Sequence, residues 1–147
     1  MNSSLDSANV ELFLDHLTVE RGLSRNTLLA YRRDLQRYID FLEVSGKSTA
    51  VAIERDIEEF LMHLRTGSEN SAPLSVSSAA RSIIAVRGFH KFLARENRSN
   101  DPAAHIHPPT PGRRLPKALA VSEIEGMIAG AGSGESVQSL RDRALIE

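Results

Sequence analysis

Between Ser24 and Gly46 the chain reads Ser-Arg-Asn-Thr-Leu-Leu-Ala-Tyr-Arg-Arg-Asp-Leu-Gln-Arg-Tyr-Ile-Asp-Phe-Leu-Glu-Val-Ser-Gly, and its apolar residues return with the period of an α-helix. Leu28, Tyr31, Leu35, Tyr38, Ile39 and Leu42 fall within about 50° of one line at 100° per residue. Ser24 is an N-cap residue type and Gly46 a stop, so the spacing predicts a helix of about twenty residues with one apolar face. A face that long has to be buried against other elements, and this requirement governs the reading of the rest of the chain.

The neighbouring segments supply matching faces. Val10, Phe13, Leu14 and Leu17 recur at i, i+3, i+4 and i+7, predicting a first helix from near Asp6-Ser7 to Gly22. Ile57, Phe60, Leu61 and Leu64 predict a shorter third helix ending at Gly67, followed by a polar loop from Thr66 to Pro73. After Ser75 a fourth helix is expected to run to about Glu96, with Val86, Phe89, Phe92 and Leu93 inward and the small Ala79 and Ala85 allowing close approach. Gly88 in its middle costs about 1 kcal/mol of helix propensity relative to alanine, which close contact with another backbone is expected to offset. No strand-like alternation occurs, so the fold class is all-α, with residues 1–100 forming one four-helix bundle.

Five of the six prolines, Pro102, Pro108, Pro109, Pro111 and Pro116, lie within fifteen residues, and 101–119 reads as an extended interdomain linker. Residues 120–147 read as the first helices of an incomplete second domain. Ile124, Met127 and Ile128 mark a short helix, and Ser139-Leu140-Arg141-Asp142 opens a last one in a capping-box pattern.

Composition narrows the functional classes. There is no cysteine, so disulfide frames and thiolate metal sites are excluded. The amino terminus lacks a basic run and an apolar core segment, and no stretch is long enough to span a bilayer, so a cytoplasmic protein without membrane contact is expected. His16, His63, His90, His105 and His107 do not have the spacing of a metal site on a helix face, and the His105-Ile106-His107 pair reads as solvated loop. Tyr31 and Tyr38 both lie on the apolar stripe of the second helix, where they read as core aromatics rather than nucleophiles. No catalytic residue, metal or cofactor is expected in this chain.

The net charge of −1 conceals a block pattern. Residues 1–20 sum to −4, 21–47 to +3, 48–74 to −3, 75–117 to +6 and the remainder to −3. Two basic segments separated by acidic ones suit a protein with one positive surface and one negative one. On the second helix Asn26, Arg33 and Arg37 lie opposite the apolar stripe, with Arg25 and Arg32 on its flank. Guanidinium forks suit phosphates and guanine edges. Ser24 and Thr27 at the helix start offer hydroxyls and backbone N–H groups to a phosphate. The plainer alternative, in which Arg37 pairs with Asp40 and the face is merely solvated, is about equally consistent with this helix taken alone. The fourth helix repeats the arrangement, with Arg87 and Lys91 one turn apart opposite Phe89 and Arg81 and Arg95 beside them. A linker carrying Arg113, Arg114 and Lys117 follows. Double-stranded DNA is therefore the expected partner, with the acidic first and third helices facing away.

These residues carry a family resemblance. Phe13-Leu14, Leu23-Ser24 through Thr27-Leu28, Tyr31-Arg32-Arg33-Asp34-Leu35, Ser77-Ser78-Ala79, Arg81, Asp101-Pro102-Ala103, Leu115-Pro116-Lys117 and Leu140-Arg141-Asp142-Arg143-Ala144-Leu145 stand in the order and spacing found in Xer-type tyrosine recombinases. The chain resembles their core-binding domain, a SAM-like four-helix bundle that forms half of a clamp around DNA, with a lean towards the XerD branch. The resemblance implies contacts from Ser24, Thr27, Arg32 and Arg33 on one helix, from Arg81, Arg87 and Lys91 on another, and from Arg113, Arg114 and Lys117 on the linker. It also implies a parent enzyme that cuts and rejoins DNA to resolve chromosome dimers, in a tetramer with XerC-like subunits on a dif-like site.

The chain departs from that family pattern in two places. It has no His-x-x-Arg motif, and the first catalytic arginine of such an enzyme is expected shortly after Glu147, so the chain reads as a fragment that binds DNA without cutting it. Ala120 stands where relatives carry a capping serine or threonine, so the following helix is expected to fray or to begin at Ser122. Two rival readings remain at this point: a phage or transposon integrase with the same clamp, and a helical adaptor whose arginine faces meet acidic proteins.

Overall fold

A computed structural model of the protein describes residues 2–68, 71–97, 99–110, 112, 118–131 and 136–146. The helices are α1 (Asn2–Arg21), α2 (Arg25–Val44), α3 (Glu54–Thr66), α4 (Val76–Asn97), α5 (Val121–Ala131) and α6 (Val137–Ile146). Among the described residues the one extended pairing is an isolated bridge between Ser68 and Ser71. The chain divides into two units, Met1–Pro111 and Gly112–Glu147.

In the first unit α2 is the hub, packing on α1, α3 and α4, while α4 also meets α1 and α3. Leu35, Tyr38, Ile39 and Leu42 of the α2 stripe are essentially inaccessible, and Leu28 and Tyr31 sit partly buried at the margin. They meet Val10, Phe13, Leu14 and Leu17 of α1, Ile57, Phe60 and Leu64 of α3, and Ile83, Val86, Phe89 and Leu93 of α4 in one core. Phe92, expected inward, packs against the edge of that core.

Local chemistry sets the helix ends. Ser24 Oγ accepts the Thr27 N–H at 3.3 Å, and Ser75 Oγ accepts the Ser78 N–H at 3.2 Å, so two orphan donors are satisfied by serine caps. At α3 the Asp56 carboxylate accepts the Ile53 N–H at 3.0 Å and a bond from Lys47. Burial pushes the Asp56 carboxyl upward, but the Lys47 and Ile53 hydrogen bonds outweigh it and hold the group below the usual carboxylate range. Gly67 ends α3 at φ +75°, and a Cβ there would lie 2.6 Å from the Ser71 carbonyl oxygen.

Four details differ from the sequence reading. The first helix begins at Asn2 rather than near Asp6, because Asp6 is buried and spends its carboxylate on the N–H and hydroxyl of Thr49 in the α2–α3 connection. The close neighbour of Gly88 is not a backbone but the Phe13 ring, whose Cζ lies 3.1 Å from where a Cβ would stand. Helix α5 begins at Val121 without a serine cap, since Glu123 reaches back to the Ala120 N–H at 2.7 Å. Helix α6 is capped by Ser136, which accepts the Ser139 N–H at 3.1 Å, and Ser139 instead donates its hydroxyl to Ala131 O at 2.7 Å, tying α6 to the end of α5.

The Phe13 ring is itself held by Phe89 and Phe92, at centroid distances of 5.7 and 5.6 Å, so it has little room to retreat. Gly88→Ala is therefore expected to lower stability by about 1 kcal/mol, the overpacking outweighing the gain in helix propensity. A urea melt that shows stabilisation instead would mean that the ring yields.

The first part of the proline-rich stretch folds onto the bundle. Asp101 Oδ1 accepts the Ala103 N–H at 2.8 Å, and Ala103 and Ile106 enter the core at 1% and 5% exposure. Pro108, Pro109 and Thr110 then line one cavity with Ser77, Ala80, Arg81 and Ile84 at the start of α4. His105 and His107, on either side of the buried Ile106, are exposed. In the second unit α5 packs against α6, and no described side chain of either helix is buried.

Candidate nucleic-acid interface

The start of α2 presents Ser24, Arg25 and Thr27. Ser24 and Arg25 are exposed, Thr27 is half-buried, and the two hydroxyls lie 2.9 Å apart. Nearly two turns past Thr27, Arg33 is exposed and lays its Nε against the Leu29 carbonyl at 3.3 Å, which holds the guanidinium along its own helix. Arg32 makes an ion pair with Glu11 of α1. The acids of α1 therefore do not all face away from the basic helix, and one of them takes up a cation on the flank of α2.

A second carboxylate is more consequential. Asp34 is 1% exposed and accepts from two arginines on two helices: Arg81 Nε at 2.8 Å and Nη2 at 3.4 Å, and Arg37 Nη1 at 3.2 Å. The two guanidiniums remain partly open, at 46% exposure for Arg81 and 38% for Arg37. The hydrogen bonds to Asp34 raise the Arg81 pKa further above its ordinary value despite some desolvation, so the site is permanently charged. Arg37 pairs with Asp34 rather than with Asp40, which accepts from Gln36 at 2.9 Å. Two cations on one anion leave a net positive charge where α2 meets α4.

Farther along α4, Lys91 is exposed and Arg87 half-buried. Lys91 lines a groove of about 220 Å³ with Arg21, Arg95, Tyr31 and Phe92, in which Arg87 takes no part. Arg25, Arg33, Arg87 and Lys91 have no carboxylate within ion-pair distance among the described residues. The linker residues Arg113, Arg114 and Lys117 lie outside the described residues.

With this geometry in place, comparison with known proteins is decisive. The family model described as phage integrase, N-terminal SAM-like domain, matches residues 10–97, the span from the core of α1 to the end of α4. The chain belongs to this family. It is 47% identical over 92% of its length to the tyrosine recombinase XerD of Mycobacterium tuberculosis, covering 46% of that protein. It is 44% identical over its whole length to the XerD of Mycobacterium leprae, covering 49% of it, and 42% identical over 92% of its length to that of Corynebacterium glutamicum, covering 46%. The chain spans about half the length of the curated relatives it matches.

Within this SAM-like domain Tyr38 occupies the core place the stripe predicts, whereas Tyr31 is half-buried at its margin and lines the Lys91 groove. Tyr38 is fully buried, its hydroxyl 2.9 Å from His90 Nε2, and burial together with the charges of Asp56 and Asp6 pushes its phenol far above the ordinary value. It holds α2 to α4 and has no access to a substrate. Burial drives His90 down to about 4, against a smaller opposing pull from Asp101. Among the described residues no three His, Cys, Asp or Glu side chains gather as metal ligands, and no helix is long and apolar enough to cross a membrane.

In the sequence Asp34 stands as a charge and as part of the Tyr31–Leu35 motif, without a partner assigned to it. Its position three residues before Arg37 was the available signal, because i and i+3 side chains share a helix face. Nothing local points to Arg81, which lies 47 residues away. Arg21 likewise has no local signal, since it ends α1 and shares a groove with Lys91 and Arg95 only through the packing of α1 on α4.

Proposed function

We propose that this chain is the DNA-clamping part of a site-specific tyrosine recombinase that cuts and rejoins DNA to resolve chromosome dimers. In this reading the parent enzyme works in the cytoplasm, in a tetramer with XerC-like subunits on a dif-like site. The observation that carries the reading is the direct packing of α2 on α4 with arginines of both helices meeting at Asp34, so that two basic helices of a SAM-like domain share one charged junction. Ser24, Arg25, Thr27, Arg33 and Arg37 from α2, and Arg81, Arg87 and Lys91 from α4, then supply phosphate and base contacts. The family resemblance adds Arg113, Arg114 and Lys117 as further contacts from the linker. Arg32 contributes only if the duplex draws it away from Glu11.

Charge removal at two positions tests this. Arg87→Gln combined with Lys91→Gln is expected to weaken duplex binding by about tenfold or more, with helicity and melting unchanged. Fluorescence anisotropy and circular dichroism on the same samples read both quantities. A collapse in melting would make these residues structural, and unchanged binding would remove Arg87 and Lys91 from the interface and leave Arg81 as the contact from α4.

A further inference from the structure

The Asp34 junction poses a problem that the general reading does not answer. A carboxylate on a surface meant for DNA repels phosphate, and burying it costs desolvation that a well-packed apolar pair would avoid. Its geometry shows what it provides in return. Arg81 binds it through two nitrogens, which fixes the plane of the guanidinium, and Arg37 shares one of the same oxygens from the other helix. Most of the N–H donors of both arginines have no partner among the described residues, and both side chains stay partly open to solvent. The carboxylate itself is shielded at 1% exposure, so an approaching anion meets the two cations before the acid behind them.

We propose that Asp34 is a positioning residue for DNA binding, holding Arg81 and Arg37 in a fixed fork whose outward N–H groups grip the phosphate backbone. The inference rests on the clamp reading above. A long side chain that is already ordered loses less entropy when it binds, so the fork strengthens contact although its anchor carries the wrong charge. The bare electrostatic expectation has the opposite sign, and this makes the proposal testable.

The experiment measures binding of the full chain to a labelled mixed-sequence duplex over a salt series. Asp34→Asn adds one net positive charge, yet it is expected to weaken binding about tenfold and to make the log–log salt slope shallower by about one. Asp40→Asn, the same charge change on the exposed side of α2, is expected to bind at least as tightly as the parent. Arg81→Lys keeps the charge and loses the fork, and is expected to weaken binding by a similar factor. The double variant should lose little more than either single one, since both remove the same device.

If Asp34→Asn tightens binding in step with Asp40→Asn, the positioning role is overturned while the clamp reading stands. If Asp34→Asn does not fold, Arg81→Lys decides alone, and parental affinity there overturns the proposal. A parent chain that ignores duplex DNA at low salt brings down the clamp reading and this inference together.

Discussion

Affinity of this chain for duplex DNA is expected to fall by several hundredfold between about 50 and 200 mM monovalent salt, with a log–log slope of about −4.5. The figure follows from the charges that are free to act. Arg25, Arg33, Arg87 and Lys91 have no carboxylate partner among the described residues, and the Arg37–Asp34–Arg81 group contributes about one further net charge. Arg32 is excluded because Glu11 already neutralises it. Each neutralised phosphate releases condensed counterions, so about five contacts set the slope. Anisotropy titrations across a salt series check it. A flat profile, or no binding at the lowest salt, would return the chain to the class of helical adaptors. The linker cations Arg113, Arg114 and Lys117 lie outside this count, and a much steeper slope would show that they, or Arg21 and Arg95 in the Lys91 groove, reach the duplex as well.

The second large effect concerns acid. His90 is buried against Tyr38 and has its proton affinity lowered to about 4 by loss of solvent, whereas in the unfolded chain it titrates at its ordinary 6.5. Between those values the unfolded chain takes up a proton that the native chain refuses, so unfolding becomes easier as pH falls through this window. Each unit is worth about 1.4 kcal/mol, which puts the whole effect on the order of 3 kcal/mol by pH 4. Urea midpoints at neutral pH and near pH 4.5 should therefore diverge strongly for the parent chain. In His90→Gln, which starts from lower stability because the Tyr38 bond is disturbed, this part of the divergence should vanish. An equal acid loss in the two proteins would assign it to other groups.

The bundle was legible because helix periodicity and caps are local. The stripe from Leu28 to Leu42, the serines at 24 and 75 and the glycines at 22, 46 and 67 each act within a few residues of themselves, and the helices end where those residues place them. The candidate site was legible only as a set of cations on faces. Which cations are free depended on carboxylates brought in from elsewhere, Glu11 from α1 for Arg32 and Asp34 from α2 for Arg81, and no pattern within one helix encodes such pairings. The proline run likewise carries no signal for which of its residues pack on the bundle. Residues 106–110 are indeed free of helix, but the small Ala103 and the apolar Ile106 are buried in the core of the bundle.

That attachment redraws the limits of the autonomous folding unit. A chain cut at Asn100 would keep all four helices yet lose Ala103 and Ile106 from the hydrophobic core, leaving a hole that solvent or a misplaced side chain must fill. The compact unit accordingly runs from Met1 to Pro111, and the start of the proline-rich segment belongs to the body of the bundle.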